Sequence, residues 1–398
     1  MNRPIENIRR ALFGTAGPEL LTELGCADWN VPVAKKIEMQ ADLAIGINLG
    51  LRRKRNEDRV GVAQVRSLCG QGFSIAVVCD GVGGSEMGDM AAAIALATCI
   101  GDLAELEQPT PVRELLPHII RSMDDAVRRS LSGKGTTTAS VLLASSKGDI
   151  VAANIGDSRL FEWGQAEQKL RQVSVDDTIE NELQNIPGAG ISAINARGLQ
   201  GSLSQALGEA GRSSSDLRIV VFERGEFSQG VVIASDGAWK SSPEGFAAIA
   251  SNAPSALDLV RRTIASALWM GGVDNVSIIA IQDVEQFIAL AKDDVNSVHR
   301  NRIILWFADV KLVLSNACGK PATSIRTSVV RESDKPNSQS ARKAANKSTG
   351  KNRRKRDNDA GIQQLDLRVD GGIQNSPPYE GERPKIVIST DDDTKKTE

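Results

Sequence analysis

Four short acidic stretches, far apart in the chain, each border a hydrophobic run that has the length of a buried strand. They are Asn56-Glu57-Asp58, Asp80-Gly81, Ser235-Asp236-Gly237 and Asp274-Asn275. Carboxylates at strand ends can converge in space, and a cluster of ionised carboxylates repels itself unless a cation lies among them. Hard divalent cations prefer such oxygen ligands, and two of these ions can activate a water for phosphoryl transfer. The pattern therefore predicts a divalent-metal site.

The composition favours a globular protein of the cell interior. At 398 residues the chain is long enough for one large or two medium domains, and 41% hydrophobic residues suffice for a sizeable core. The net charge of −2 gives no field that would attract nucleic acid or an anionic membrane. Five cysteines without a CxxC spacing are typical of a reduced protein. Because no apolar stretch resembles a signal peptide or a membrane span, we expect a cytoplasmic protein without membrane contact.

Histidine is scarce, which argues against several kinds of catalytic site. The two histidines, His118 and His299, lie in a predicted helix and in a late polar segment. A Ser-His-Asp triad or a histidine-rich zinc site is therefore not expected. The Gly-Val-Gly-Gly sequence at 81–84 lacks the Gly-Lys-Ser/Thr ending of a phosphate-binding loop, which disfavours nucleotide binding.

The order of predicted elements indicates an α+β fold. Short apolar runs near 44–48, 60–63 and 73–79 predict strands, and segments over 88–106 and 112–131 predict helices. Further strands and helices follow up to residue 281. Hairpin signals between consecutive strands predict mainly antiparallel pairing. The natural arrangement is a four-layer α-β-β-α sandwich, with two sheets packed together and helices on their outer faces.

The density of apolar patterning divides the chain into four segments. Residues 1–39 are predicted to be an N-terminal extension and residues 40–284 the folded domain. Residues 285–318 keep enough apolar positions for C-terminal helices. Residues 319–398 are predicted to be a disordered charged tail, because they cannot bury enough apolar surface to offset the entropy of ordering. The basic cluster at 343–356 is interpreted as a solvated charge run, with nucleic-acid binding or targeting as a less favoured alternative.

The acidic stretches belong to a longer series of short motifs. The series is Arg53-x-x-Asn56-Glu57-Asp58, Val78-Cys79-Asp80-Gly81-Val82-Gly83-Gly84, Gly135-Thr136-Thr137, Asn154-Ile155-Gly156-Asp157-Ser158-Arg159, Ser204-Gln205-Ala206-Leu207-Gly208, Ala234-Ser235-Asp236-Gly237 and Asp274-Asn275-Val276-Ser277. In order and approximate spacing it resembles the metal-dependent protein phosphatases of type 2C, the PPM family. Each motif alone is weak evidence, because Asp-Gly pairs are common turn formers, but the seven in sequence are specific.

The resemblance implies a binuclear Mn²⁺ or Mg²⁺ site at one end of the sandwich. Asp80 matches the bridging aspartate of the family. Gly81 matches the residue whose backbone carbonyl is a ligand and whose missing side chain lets the metal approach. Asp236 and Asp274 match the other direct ligands.

Three further acidic residues match positions around that site. Glu57 and Asp58 match the pair that holds metal-bound waters. Asp157 matches the aspartate that joins Asp236 at a third, weaker metal. The resemblance thus implies two bound ions and leaves a third open.

The resemblance also implies the reaction. Members of the family hydrolyse phosphoserine and phosphothreonine in proteins by direct attack of a metal-bridging water. Arg53 matches the phosphate-binding arginine, whose planar fork can contact two phosphate oxygens. Arg53, Asp80 and Asp236 are therefore the expected catalytic residues. Phosphorylated proteins are the expected substrates, and a cognate Ser/Thr kinase is a further candidate partner.

Two positions depart from the family pattern. Val82 stands where many eukaryotic members carry a histidine proposed to protonate the leaving alkoxide, so the general acid stays open. Residues 174–178 read Ser-Val-Asp-Asp-Thr, where the family commonly has Thr-x-Asp-His-Ser. Residues 178–202 would form the flap beside the site. The missing histidines and the Asp-Gly-x-Gly-Gly motif indicate a member of the bacterial type.

The alternative function is a non-catalytic phosphatase-like scaffold or regulator that recruits partners through the long tail. It is less favoured because pseudo-enzymes usually lose metal ligands, and every acidic motif is intact here. A third interpretation, a partner-switching phosphatase of stress signalling, finds no support because the sequence shows no sensor domain.

Overall fold

The computed structural model describes residues 20, 21, 24, 27–37, 41–83, 85–164, 170–184, 201–227, 229–292, 302–316 and 325–331. The chain divides into one unit over Met1–Pro336 and another over Asn337–Glu398, and every described residue lies in the first. Within the described part of the chain, no helix is both long and apolar enough to cross a membrane.

The described elements alternate between groups of strands and groups of helices. The strands are β1 (Val33–Lys36), β2 (Leu43–Asn48), β3 (Arg59–Arg66), β4 (Gly72–Cys79), β5 (Ala139–Ser145), β6 (Ile150–Ile155), β7 (Arg159–Trp163), β8 (Leu170–Gln172), β9 (Val221–Glu223), β10 (Gly230–Ala234), β11 (Val276–Ile281), β12 (Arg302–Phe307), β13 (Val310–Asn316) and β14 (Ile325–Arg331). The α-helices are α1 (Gly88–Ala104), α2 (Val112–Leu131), α3 (Ile179–Gln184), α4 (Asp236–Trp239), α5 (Pro243–Asn252), α6 (Ala256–Trp269) and α7 (Val284–Leu290).

The strands form two antiparallel sheets. One has six strands in the order β1-β2-β11-β10-β7-β8, and the other has eight in the order β14-β13-β12-β3-β4-β5-β6-β9. Helices α1 and α2 pack together, with α1 against β3 and β4 of the eight-stranded sheet, whereas α6 packs on β2 and β11 of the six-stranded sheet. The predicted α+β sandwich of two antiparallel sheets with outer helices is therefore confirmed.

Alternation along the strands separates the two hydrophobic cores. In β2, Ile45 and Ile47 belong to the large core that includes residues of both sheets, while Ala44 faces the smaller core under α5 and α6. Strand β11 repeats the pattern, with Ile279 in the large core and Ile278 in the smaller one. Both faces of these strands are buried because successive side chains point to opposite sides of a sheet that is covered on both. This explains why their sequences are apolar throughout.

The segment beyond 284 differs from the prediction. Among the described residues there, only α7 is helical, and residues 302–307 and 310–316 form the hairpin β12–β13 instead of C-terminal helices. Strand β12 pairs with β3 from Arg302↔Arg66 to Trp306↔Val62, and Ile303, Leu305 and Phe307 are buried at alternate positions. Short apolar runs fit either a helix or a strand, and here the free edge of β3 decides for a strand.

The first part of the segment predicted as a disordered tail also differs. Strand β14, within 319–398, pairs with β13 and extends the eight-stranded sheet. The sheet therefore continues well past the predicted domain end at 284. The remaining residues of the predicted tail lie outside the described residues.

The predicted N-terminal extension over 1–39 is partly built into the domain. Strand β1 pairs with β2 at the edge of the six-stranded sheet. The Trp29 ring stacks on Phe307 with 5.6 Å between centroids, and the Arg59 guanidinium lies 4.8 Å from the Trp29 ring centre. Leu20 and Leu24 are fully buried. Strand pairing and buried apolar side chains both tie this segment to the domain.

Because β12 and β13 complete the core, a chain that ends at residue 292 should be much less stable than one that ends at Pro336. The shorter chain keeps α7 but loses Leu305 and Phe307, which are 0% exposed, and each such burial is worth about 1.5–3 kcal/mol. We expect its thermal unfolding midpoint to fall by roughly 10 °C or more, or the protein to aggregate. Equal midpoints for the two chains would contradict the corrected domain boundary.

Candidate active site

The acidic residues converge because antiparallel pairing brings strand starts beside strand ends. In the eight-stranded sheet, Arg59 at the start of β3 pairs with Cys79 at the end of β4, so Asp58 and Asp80 become neighbours. In the six-stranded sheet, the end of β10 lies beside the start of β11, and Ser235 N donates to Ser277 O at 2.9 Å. Asp236 and Asp274 flank that point. Each sheet thus supplies one acidic pair to the same end of the sandwich.

A cavity of about 200 Å³ lies at this end. Five of the predicted site residues line it: Arg53, Asp80, Asp157, Asp236 and Asp274. The rest of the described lining is Val82, Gly83, Thr138, Gly201, Leu203 and Lys240. The other three predicted residues, Glu57, Asp58 and Gly81, are not part of this lining.

Asp58 lies behind the cavity with an unsatisfied oxygen. It is 1% exposed, and its Oδ2 accepts a hydrogen bond from Ser235 Oγ at 3.0 Å, which links the two sheets. Its Oδ1 has no hydrogen-bond partner among the described residues. Burial raises the pKa of Asp58 to about 7, and the charge of Asp274 adds to the rise. A buried carboxylate oxygen without a donor is costly, so this atom is suited to an additional cation or water.

Asp80 is held by its backbone while its carboxylate faces the other acids. Its carbonyl accepts from Thr138 N at 2.8 Å and from Thr137 Oγ1 at 2.9 Å, and its N–H donates to Thr138 Oγ1 at 3.0 Å. Thr137 and Thr138 are therefore positioning residues. Desolvation raises the pKa of Asp80 well above its ordinary value, and repulsion from Asp58, Asp236, Asp157 and Asp274 raises it further. The carboxylates of the site repel one another when ionised, and a bound cation would reduce this repulsion.

Two side-chain cations reach into the cavity. Arg53 Nη2 donates to Asp274 Oδ2 at 2.8 Å, and Arg53 Nη1 lies 3.8 Å from Glu57 Oε2. On the opposite side, Lys240 Nζ donates to Asp236 Oδ2 at 2.8 Å and lies 3.9 Å from Asp157 Oδ2. Lys240 was not among the predicted site residues. Its position four residues after Asp236, at the end of a short helix, is the signal that could have found it.

Asn275 ties the arginine-bearing loop to the start of β11. Its Oδ1 accepts from Glu57 N at 2.8 Å, and its Nδ2 donates to Leu49 O at 2.8 Å and to Arg55 O at 3.3 Å. Asn275 is 3% exposed. One buried amide thus fixes the loop over 49–57 against the strand end that carries Asp274.

Two glycines allow the acidic loops to approach one another. A Cβ on Gly237 would lie 1.9 Å from Asn275 O, so only glycine lets the turn after Asp236 pack on the loop of Asp274. A Cβ on Gly81 would lie 2.5 Å from the Gly88 carbonyl carbon. The need for glycine at 81 therefore has a packing cause in this structure, in addition to the metal access that the sequence suggested.

The altered segment at 174–178 is anchored to the wall of the site by its two aspartates. Arg159 donates to both carboxylate oxygens of Asp176, with distances of 2.7–3.1 Å, and stacks 3.2 Å from the Trp239 ring centre. Asp177 Oδ2 accepts from Gly156 N at 3.0 Å and from Gln205 Nε2 at 3.1 Å. Most of the predicted flap over 178–202 lies outside the described residues.

The residues fit hard divalent ions by donor chemistry and charge. Four carboxyl groups line the cavity against the two cations Arg53 and Lys240, and all available donors are oxygens. As the side chains stand, no three His, Cys, Asp or Glu residues in the described part of the chain are arranged to hold a metal ion. Asp274 and Asp236 are instead paired with Arg53 and Lys240. An ion would have to compete with them.

Comparison with known proteins finds similar phosphatases. No family model matches the chain. A serine/threonine phosphatase Stp of Listeria monocytogenes is 27% identical over 246 residues, covering 58% of this chain and 92% of the relative. The homologous protein of Listeria welshimeri is 26% identical over 245 residues with the same coverage of both chains.

Solved structures show the same fold. A bacterial serine phosphatase superposes with a TM-score of 0.52 at 18% identity, covering 61% of this chain and 98% of that one. The phosphatase Stp1 of Staphylococcus aureus gives 0.51 at 18% identity, covering 62% and 97%. The chain is thus similar in sequence to bacterial serine/threonine phosphatases and shares the fold of solved ones.

We predict that Gly237→Ala disrupts the acidic site, because the new methyl group would meet a backbone oxygen, Asn275 O, next to Asp274. Overpacking of this kind costs about 1–3 kcal/mol. We expect a lower thermal unfolding midpoint and lower phosphatase activity. Gly225→Ala is the matched control, because a Cβ there meets no atom within 4 Å. A Gly237→Ala variant that equals the control in both measurements would contradict the close approach.

Proposed function

We propose that the protein is a Mn²⁺- or Mg²⁺-dependent serine/threonine protein phosphatase that hydrolyses phosphoserine and phosphothreonine. The observation that carries the proposal is the shared cavity of Asp80, Asp236, Asp274 and Arg53, formed by strand ends of both sheets. The names of the Listeria relatives support the substrate class. Phosphorylated proteins are accordingly the proposed substrates.

In this proposal, Asp80, Asp236, Asp274 and the Gly81 carbonyl would hold two ions, and Glu57 and Asp58 would hold waters bound to them. When bound, such ions supply Lewis-acid charge for the phosphoryl oxygens and a water of lowered pKa. The protein contributes the rest. Thr137 and Thr138 fix the backbone of Asp80, and Ser235 fixes Asp58. Asp80 and Asp58 are thereby kept in place by uncharged groups.

Arg53 is the proposed phosphate-binding residue. Its side chain is 36% exposed, lines the cavity and packs over Gly83, where a Cβ would lie 2.9 Å from Nη1. A phosphate dianion offers the guanidinium two oxygens, whereas Asp274 now uses one of its Nη groups. Exchange of the Asp274 pairing for the substrate would place the arginine on the phosphate and free a carboxylate oxygen.

No histidine is among the described residues that line the cavity, so the source of the proton for the leaving alkoxide is open. Val82 occupies the position next to Asp80-Gly81, and its side chain cannot donate. Water or one of the other polar groups of the lining must therefore act as the acid in this proposal.

We place the protein in the cytoplasm, because Cys69, Cys79 and Cys99 are free thiols and two of them are buried. An opposing Ser/Thr kinase is part of the same proposal, since a phosphatase of this kind needs a phosphorylated substrate.

The direct test is hydrolysis of a phosphothreonine peptide with Mn²⁺, with and without EDTA. We expect activity that EDTA abolishes, and an Asp236→Asn variant reduced by roughly 100-fold or more, because a ligand group at the reacting centre is lost. Asp149→Asn, in the exposed turn between β5 and β6, is the control and should keep full activity. Metal-independent turnover would refute the metal-dependent mechanism.

The same preparation distinguishes the non-catalytic alternative. The observation that favours this alternative is that Arg53 and Lys240 already pair with two of the carboxylates. A calorimetric Mn²⁺ titration that detects no binding, together with no turnover, would support a scaffold.

Arg53→Lys tests the phosphate contact. A lysine keeps the charge but loses the planar fork, so we expect the KM for a phosphopeptide to rise about tenfold with a smaller change in kcat. Arg52→Lys is the matched control. Arg52 is the residue before Arg53, and its own side chain is exposed and does not line the cavity. An unchanged KM in Arg53→Lys would remove Arg53 from phosphate binding.

A further inference from the structure

Lys240 occupies the gap between the two aspartates that the family resemblance assigns to a third metal. Its Nζ lies 2.8 Å from Asp236 Oδ2 and 3.9 Å from Asp157 Oδ2. Both carboxylates line the same cavity as the lysine. One ammonium group therefore already contacts both would-be ligands.

The local backbone fixes the lysine at this place. Lys240 ends the short helix α4, and its N–H donates to Asp236 O at 2.8 Å, which closes the turn. The preceding residue, Trp239, is buried under Arg159. Because positions i and i+4 lie on the same side of a helical turn, the Lys240 side chain extends along Asp236.

The opposite wall of the cavity also limits the lysine. Gly201 lies at the start of a described segment that faces α4, and a Cβ placed there would be 3.6 Å from Lys240 Nζ. Gly201 and Leu203 line the cavity together with the two aspartates. The ammonium group thus lies between the acidic wall and the 201–203 segment, where a third ion and its waters would need room.

Electrostatics makes the lysine and a third ion mutually exclusive. A divalent ion binds carboxylate oxygens at about 2.0–2.6 Å, so an ammonium group in contact with the same oxygen would repel it strongly. Binding of that ion would first require the lysine to leave both aspartates.

We propose that Lys240 is a built-in cation that replaces the third metal, so that this protein binds two divalent ions and not three. The inference rests on the proposed function, because it takes the binuclear pair at Asp80 and Asp274 as given. In this role Lys240 is a positioning residue. It keeps Asp157 and Asp236 close together and supplies one permanent positive charge that does not depend on the concentration of free metal.

The test counts bound Mn²⁺ per chain by electron paramagnetic resonance of the free ion, without any activity measurement. We expect two ions in the wild-type protein. Lys240→Gln, which removes the charge at nearly constant length, should gain one further, weaker ion. Lys240→Gln combined with Asp157→Asn should lose that extra ion again. Lys147→Gln, a lysine exposed in the turn after β5, is the control and should behave as the wild type.

The difference between variants tests the role of Lys240, while the wild-type total tests the proposed function. A third ion in the wild type, or no gain in Lys240→Gln, would overturn the inference. Fewer than two ions in the wild type would reject the binuclear site, yet an Asp157-dependent gain in Lys240→Gln would still support the lysine's role. Unchanged thermal unfolding midpoints for these variants would show that none of the differences arises from misfolding.

Discussion

The repulsion among carboxylates at one end of the sandwich is the constraint on which the rest of the site depends. Antiparallel pairing forces Asp58 beside Asp80 and brings Asp236 beside the strand that follows Asp274. Desolvation raises the pKa of Asp80, and the charges of its acidic neighbours raise this pKa further. The second effect is the repulsion among the carboxylates. A fold that builds such a cluster must fix each acid firmly, because otherwise the side chains would move apart into solvent.

The surrounding residues meet this requirement with hydroxyls, amides and close backbone contacts. Thr137 and Thr138 hold Asp80, Ser235 holds Asp58, and Asn275 fixes the loop that carries Arg53. None of these groups carries a charge, so they orient the acids without neutralising them. The carboxylates are therefore held at fixed positions where cations can bind them, which is how a preorganised site differs from an ordinary surface salt-bridge network.

The sequence predicted the parts of this arrangement that depend on local pattern. Helices α1 and α2 lie where the apolar patterns over 88–106 and 112–131 predicted them, because most of their apolar side chains are buried by packing. The acids could be assigned because motif order is preserved. The hairpin β12–β13 could not be assigned, since its short apolar runs fit either a helix or a strand until the free edge of β3 is known.

Other features of the site depend on distances that no local pattern encodes. A Cβ on Gly237 would lie 1.9 Å from Asn275 O, because the turn after β10 meets the loop before β11. This close approach is why the position requires glycine. The sequence alone does not distinguish Gly237 from the glycine of any other Asp-Gly turn. Nor does it distinguish Lys240 from any other surface lysine. The partly buried start of the chain was missed for the same reason, because Trp29 finds its partner Phe307 only after the whole sheet has formed.

The two cations of the cavity differ in how firmly they are bound to their acids. Arg53 extends from a loop and has one strong carboxylate contact, to Asp274, so a phosphate dianion with two suitable oxygens can compete for its fork. Lys240 sits at the end of α4 and lies between two carboxylates and the 201–203 segment. Release of Arg53 would open Asp274 for an ion, whereas release of Lys240 would leave two facing carboxylates unpaired. The same difference that makes Arg53 suitable for substrate binding makes Lys240 suitable as a permanent part of the wall.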